Sequence, residues 1–112
     1  KDRVALGRQF REILPLLWLR SGAIGPRPEL SDKEPIPPMV VPDKNPFAVL
    51  VDETHFTDFL MALEAKNKLT HVYLVTDSEE AYQEMATQIN APQVIQLYRE
   101  YTENFAINKG GR

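Results

Sequence analysis

The spacing of apolar residues predicts a long helix at the start of the chain. Between Arg3 and Arg20 large apolar side chains recur every three or four positions, the periodicity of a helix with one buried face. These positions are Leu6, Phe10, Ile13, Leu14 and Leu17. Pro15 lies within the stretch, and proline removes a backbone donor, so we expect a kink or two short helices meeting there. Gly22 and Gly25 are expected to end the helical segment.

Residues 26–46 have a different composition, because seven of the nine prolines lie there. A regular helix is excluded and a central strand is disfavoured, so we predict an extended connector over the surface. Within it, Met39–Val41 has the composition of one short edge strand. The chain therefore divides into a helical segment (1–25), a proline-rich connector (26–46) and an α/β subdomain (47–112), which together form one compact domain.

The rest of the chain alternates between strand-like and helix-like patterns. Two apolar stretches predict strands of the type buried on both faces, Phe47–Val51 and His71–Thr76, and a third strand is predicted over Gln93–Leu97. Between them, helical spacing predicts helices over His55–Lys66 and from Asp77 or Ser78 to about Asn90. A further short helix is predicted over Tyr98–Ile107.

Strands that alternate with helices predict a parallel sheet. We therefore expect a small three-layer α/β domain with a three-stranded parallel sheet (β-α-β-α-β), preceded by the N-terminal helix. That helix, with Trp18, either covers the remaining face of the sheet or packs on a neighbouring domain.

Composition narrows the function classes. The chain has 112 residues, of which 43% are hydrophobic and 26% charged, which fits one globular domain with one core. It has no cysteine, which excludes a thiolate zinc site, an iron–sulfur cluster and a cysteine nucleophile. No apolar run approaches the roughly 18 residues of a membrane span and no basic-then-apolar leader opens the chain, so we expect a cytoplasmic protein without a membrane partner.

The charge is unevenly distributed. The net charge is −3, yet residues 1–30 carry six basic and three acidic side chains. A basic N-terminal surface is a candidate for contact with DNA or with an acidic partner, although a solvated helix face has the same composition. The candidate contact residues are Arg8, Arg11, Trp18, Arg20 and Arg27.

Ligands of open parallel sheets bind beyond the carboxyl ends of the strands. Asp52 and Asp77 occupy those ends and are candidate magnesium ligands; the alternative is that they cap helices or lie in loops. His55 and His71 are interpreted as surface residues at opposite ends of neighbouring elements. No glycine-rich phosphate loop follows the first strand, and no nucleophile–histidine–acid arrangement is recognisable, so we assign no catalytic or cofactor-binding residue.

Three stretches carry a resemblance to a known family. Ile13–Gly25 (ILPLLWLRSGAIG), His71–Tyr82 (HVYLVTDSEEAY) and Val94–Lys109 (VIQLYREYTENFAINK), in that order, resemble the C-terminal part of adenine-specific DNA methyltransferases of bacterial restriction-modification systems, notably the type III modification subunits. The resemblance covers about half of the chain.

The resemblance implies a parent enzyme that flips adenine out of duplex DNA and transfers a methyl group to it from S-adenosylmethionine. The family's Asp/Asn-Pro-Pro-Tyr/Phe and Phe-x-Gly-x-Gly motifs do not occur in this chain, since Pro37–Pro38 is flanked by Ile36 and Met39. We therefore expect an accessory domain excised from the parent, itself without a cofactor, whose partners are the rest of the methyltransferase, a restriction subunit and DNA. The alternative function is a stand-alone α/β domain that binds a ligand or metal through Asp52 and Asp77.

Overall fold

The computed structural model describes residues 2–30, 35–66 and 68–98, with the side chains of the first helix described from Phe10 onward. The elements, in chain order, are α1 (Asp2–Arg20), β1 (Met39–Val40), β2 (Phe47–Leu50), a 3₁₀ turn (Glu53–His55), α2 (Phe56–Glu64), β3 (His71–Val75), α3 (Glu79–Ala86) and β4 (Gln93–Leu97). The predicted order of helix, connector and alternating strands and helices is confirmed for these ranges. The helix predicted over Tyr98–Ile107 lies outside the described residues beyond Tyr98.

The sheet has four strands in the order β1-β2-β3-β4 and is mixed. β2, β3 and β4 are parallel, whereas β1 pairs antiparallel with β2 through Met39–Leu50 and Val40–Val49. The prediction of a three-stranded, wholly parallel sheet was therefore wrong in the number of strands and in the direction of one of them. The short β1 is compatible with its proline-rich surroundings because an edge strand needs hydrogen-bond donors on one side only.

α1 is one continuous helix of 19 residues, so the alternative of two short helices meeting at Pro15 was wrong. Proline inside a helix costs about 3 kcal/mol. Four side chains of α1 are buried against the sheet, and each buried side chain of this size contributes roughly 1.5–3 kcal/mol, which offsets that cost. They are Phe10, Ile13, Leu14 and Leu17.

The core consists of two layers of side chains on the two faces of the sheet, as the continuous apolar strands predicted. On one face α1 packs against alternate strand residues: Phe47, Val49, Val51, Tyr73, Val75 and Leu97. On the other face Phe59 of α2 and Met85 of α3 pack against Ala48, Leu50, Val72 and Leu74. The three-layer arrangement is thus confirmed, and α1 packs on its own sheet rather than on a neighbouring domain.

Both crossover helices lie on the same face, as expected when β2, β3 and β4 follow one another across the sheet with crossovers of one hand. Each helix begins directly after a strand, so the amino ends of α2 and α3 lie at the carboxyl ends of the strands. α3 ends at Ala86, earlier than the predicted Asn90. Within the described ranges, every helix is too short or too polar to cross a bilayer.

Candidate functional site

The carboxyl ends of β2 and β3 are the first place to look for a site, and here the acidic side chains serve local structure. Asp52 Oδ1 accepts hydrogen bonds from the Thr54 backbone N–H (3.0 Å) and from Thr54 Oγ1 (2.7 Å). Asp52 is therefore the N-cap of the 3₁₀ turn, a position where a short polar side chain satisfies otherwise unbonded backbone donors. Asp52 Oδ2 also lies 3.9 Å from His55 Nε2.

A contact that the sequence did not reveal joins the ends of β2 and β3. The buried Thr76 donates from Oγ1 to Glu53 Oε1 (2.8 Å), and the same oxygen accepts from the Ser78 backbone N–H (3.2 Å). The Thr76 backbone N–H donates to the Leu97 carbonyl oxygen (2.9 Å), which continues the link to β4. Thr76 thus connects the carboxyl ends of all three parallel strands. A threonine at the end of an apolar strand gives little sequence evidence for this contact, because no sequence pattern links Thr76 to Glu53.

The second metal candidate, Asp77, is exposed in the loop before α3. The cap of α3 is Ser78, whose Oγ accepts from the Ala81 backbone N–H at 3.1 Å; of the two predicted caps the structure uses the serine. In the described part of the chain, no three histidine or acidic side chains are grouped closely enough to hold a metal ion.

The two histidines lie at opposite ends of the sheet, as predicted from their positions. His55 follows β2, where its ring nitrogens lie within 3.9 Å of carboxylate oxygens of Asp52 and Asp58. His71 opens β3 and its ring stacks on Tyr73 at 6.1 Å between centroids. Partial burial lowers the pKa of His71, and the positive charge of Arg20 lowers it further.

The arginines of the predicted basic surface differ in their exposure and in their partners. The side chain of Arg8 lies outside the described residues; Arg11 is half-buried and Arg20 is exposed in the last turn of α1. Arg27 is exposed and paired with Glu29 at 3.0 Å.

Trp18 is half-buried against the α1 side of the core, and its Nε1 donates to the Gly25 carbonyl oxygen at 3.2 Å. The indole thus stabilises the loop after α1.

At the amino ends of β2 and β3 the loops are locked together by a buried amide. Asn45 Nδ2 donates to the carbonyl oxygens of Ile24 (2.6 Å) and Pro26 (3.0 Å). Lys66 Nζ donates to the carbonyl oxygens of Pro42 (2.6 Å) and Asn45 (2.8 Å). Burial lowers the pKa of Lys66, which the charge of Asp43 partly counters. The groove between these loops measures about 490 Å³, and Lys66, one of the three lysines that line it, is already bonded to the loops.

Acidic and basic side chains lie at opposite ends of the helices. Acidic side chains stand in the first turns of α2 and α3: Asp58, Glu79 and Glu80. Basic side chains stand at the opposite ends, with Arg20 in the last turn of α1 and Lys66 and Lys68 after α2. This placement complements the helix dipoles, each favourable contact contributing about 0.3–1 kcal/mol. Of the six basic side chains noted in residues 1–30, this arrangement accounts for Arg20.

An apolar patch remains on the surface at the end of α1. Leu16, Leu19 and Ile24 are 47%, 57% and 56% exposed. Leu16 and Leu19 are one helical turn apart, and the Gly22 N–H donates to the Leu19 carbonyl oxygen at 3.1 Å. Ile24 lies in the loop directly after α1, and these three exposed side chains are hereafter called the apolar patch.

Comparisons of the chain with protein-family models, with curated proteins and with solved structures found no match.

Proposed function

We propose that this chain is a non-catalytic accessory domain of a bacterial adenine-specific DNA methyltransferase of a restriction-modification system, where it supports assembly or partner contact. The observation that supports the proposal is that the described parts of the three stretches, which for the third are residues 94–98, are neighbours in the fold. Ser21 Oγ of the first stretch lies 2.8 Å from Tyr73 Oη of the second. The Thr76 N–H of the second donates to the Leu97 carbonyl oxygen of the third at 2.9 Å. A resemblance confined to segments that pack together is what a shared structural unit would give.

Four polar residues in the described parts of these stretches make hydrogen bonds that stabilise the fold, which supports the non-catalytic part of the proposal. Tyr73 and Ser21 form a buried hydroxyl pair that attaches the end of α1 to the sheet, and Tyr73 Oη also donates to the Leu17 carbonyl oxygen at 3.4 Å. Thr76 and Ser78 close β3 and cap α3.

The apolar patch supports a role in contact with the rest of the methyltransferase chain. Exposed large apolar side chains gathered on one surface are typical of sites that bind other proteins. The patch lies within the first resembling stretch, so the same segment that binds the sheet through its buried face offers apolar side chains on its outer face.

The proposal is tested with the complete gene product that contains this chain. Tritiated S-adenosylmethionine is incubated with unmethylated duplex DNA, and the digested DNA is analysed for N6-methyladenine. We expect methyl transfer to adenine. A gene product that purifies folded yet forms no N6-methyladenine on any duplex supplied would refute the parent assignment.

The accessory role is tested by replacing Leu19 and Ile24 together by Gln in the same protein. We expect the double variant to lose co-elution with the restriction subunit, or to lose methyl transfer through poorer assembly of the chain. Met61→Gln is the matched control, because Met61 is 65% exposed but lies on α2, away from the patch. Equal behaviour of the patch variant, the control and the unchanged protein would refute the role in assembly.

A further inference from the structure

The outer edge of β4 offers a row of backbone groups for pairing. Among the described residues β4 has one neighbouring strand, β3. The Gln93 N–H donates to the Thr70 carbonyl oxygen (3.1 Å), and the Leu97 carbonyl oxygen accepts from the Thr76 N–H (2.9 Å), so odd-numbered residues of β4 point their backbone groups toward β3. Because successive residues of a strand alternate, Val94 and Gln96 point their N–H and C=O groups outward.

One of these outward groups already has a partner, and that partner is a side chain rather than a strand. Tyr82 of α3 donates from its hydroxyl to the Val94 carbonyl oxygen at 2.7 Å. Within the described part of the chain, the Val94 N–H and both backbone groups of Gln96 make no hydrogen bond. A carbonyl oxygen accepts two hydrogen bonds, so the Tyr82 contact leaves Val94 able to pair as well.

The two edges of the sheet are treated differently. β1 is two residues long and stands close to Pro38 and Pro42, features that prevent further strand addition. β4 has five residues and contains no proline, no lysine and no other charged side chain, although Pro92 directly precedes it. By the usual protections of sheet edges, and among the described residues, β4 is therefore the less protected of the two edges.

The surroundings of the β4 edge select the charge of such a strand. The side chain of Val94 packs with the α2 and α3 layer, so Val94 and Gln96 face the side of the sheet where α3 lies. Tyr82 reaches the edge through its hydrogen bond to the Val94 carbonyl oxygen, and Glu79 lies one turn before Tyr82 on the same face of α3. A basic side chain on the same face of an added strand would therefore lie near the Glu79 carboxylate.

We propose that the outer edge of β4 binds an extended, basic segment of a partner protein as a fifth strand. The Val94 and Gln96 backbone groups supply the hydrogen bonds, and Glu79 selects lysine or arginine at alternate positions of the segment. This binding mode is strand addition, in which backbone pairing gives affinity and alternate side chains give specificity. The inference does not depend on the methyltransferase assignment.

The probe is a fluorescein-labelled peptide of about seven residues that alternates lysine and valine, long enough to span β4. Three comparison peptides share its length: one alternating glutamate and valine, one of scrambled order without alternation, and one N-methylated at every second amide. Binding to the full chain is followed by fluorescence anisotropy, and amide exchange at Val94 and Gln96 is followed by NMR. We expect the first peptide alone to bind and to slow exchange at both amides.

Two charge variants separate the edge from general attraction. Glu79→Gln should weaken the lysine–valine peptide about tenfold, a change of roughly 1.4 kcal/mol. Glu84→Gln removes the same charge from α3 but lies on the helical face away from Tyr82, so it should leave affinity unchanged. Both variants are compared at equal ionic strength, and their circular dichroism spectra confirm that they fold.

Several results would overturn the proposal. These are no binding of the lysine–valine peptide, equal binding of the N-methylated or scrambled peptide, or binding without slower exchange at Val94 and Gln96. Equal weakening by Glu79→Gln and Glu84→Gln would remove the basic selectivity. If the protein without peptide is a dimer in which the Val94 and Gln96 amides are already protected, the edge pairs with a second copy and the partner assignment is wrong.

Discussion

Replacing Gly25 by Ala should destabilise the domain far more than replacing Gly22 by Ala, although both glycines have left-handed backbone conformations. Gly22 has φ +100° and Gly25 has φ +82°. Either substitution strains the backbone by about 1 kcal/mol. The surroundings differ, however, because a Cβ on Gly22 would meet only the Ile24 side chain at 3.4 Å, an ordinary contact.

At Gly25 a Cβ would overlap the Lys44 carbonyl oxygen and come within 3.0 Å of Asn45 Nδ2. The loop after α1 would have to move away, which breaks the two hydrogen bonds that Asn45 donates to it and leaves a buried amide unpaired. Unsatisfied buried donors cost about 1–3 kcal/mol, so we expect a total loss of roughly 2–4 kcal/mol for Gly25→Ala against about 1 kcal/mol for Gly22→Ala.

The measurement is urea unfolding followed by the fluorescence of Trp18, the single tryptophan of the chain, and by far-ultraviolet circular dichroism. Trp18 reports on this loop directly, since its Nε1 donates to the Gly25 carbonyl oxygen. With a urea dependence of about 1–3 kcal/mol per molar, the two midpoints should differ by roughly 1 M. Equal midpoints for the two variants would show that the close approach of Gly25 to Lys44 does not contribute to stability.

Three further predictions concern titration and hydrogen bonding. Tyr73→Phe removes the bonds to Ser21 Oγ and the Leu17 carbonyl oxygen and should cost about 1–2 kcal/mol in urea unfolding; no loss would contradict the role of the hydroxyl pair. Burial raises the pKa of Tyr73 above its usual 10, so its contribution is complete below pH 10 and is lost as pH rises above it; unfolding at pH 9–11 should show a smaller decline for Tyr73→Phe than for the unchanged protein. Burial and Arg20 lower the pKa of His71 below 6.5, so stability should fall as pH falls through 6.5, and His71→Gln should flatten that decline; parallel curves would refute the assignment.

β2 and β3 were predictable because each is a short apolar run, which is what burial on both faces of a sheet requires. β4 carries glutamine at two of its five positions and is only partly buried, so its pattern was weaker. β1 was visible only as a composition, since two residues between prolines carry no periodicity. Its antiparallel pairing depends on where the connector returns to the sheet: the Pro38 carbonyl oxygen accepts from the Val51 and Asp52 N–H groups at 2.8 and 2.9 Å. The continuity of α1 through Pro15 likewise depends on tertiary burial, which outweighs local propensity.

The candidate site was less accessible to sequence reasoning. Asp52 was recognised at the end of a strand, where it could be a metal ligand or a helix cap. Only its hydrogen bonds with Thr54 distinguish these two roles. The Glu53–Thr76 bond joins residues 23 positions apart, and Asn45 is one polar residue among many in a loop. Such contacts depend on the tertiary fold, so no local sequence pattern predicts them.

Because α1 is the one helix of the described residues that packs on this face of the sheet, and a long connector separates it from the first strand, the domain is divisible into two complementary pieces. The β-α-β-α-β half would present a bare apolar surface that includes Phe47, Val49 and Tyr73 until the helix arrives. Local β-α contacts form faster than contacts distant in sequence, so helix docking is expected to be the last event of folding. A separately supplied α1 peptide should then restore the folded state, as in a split-protein reporter.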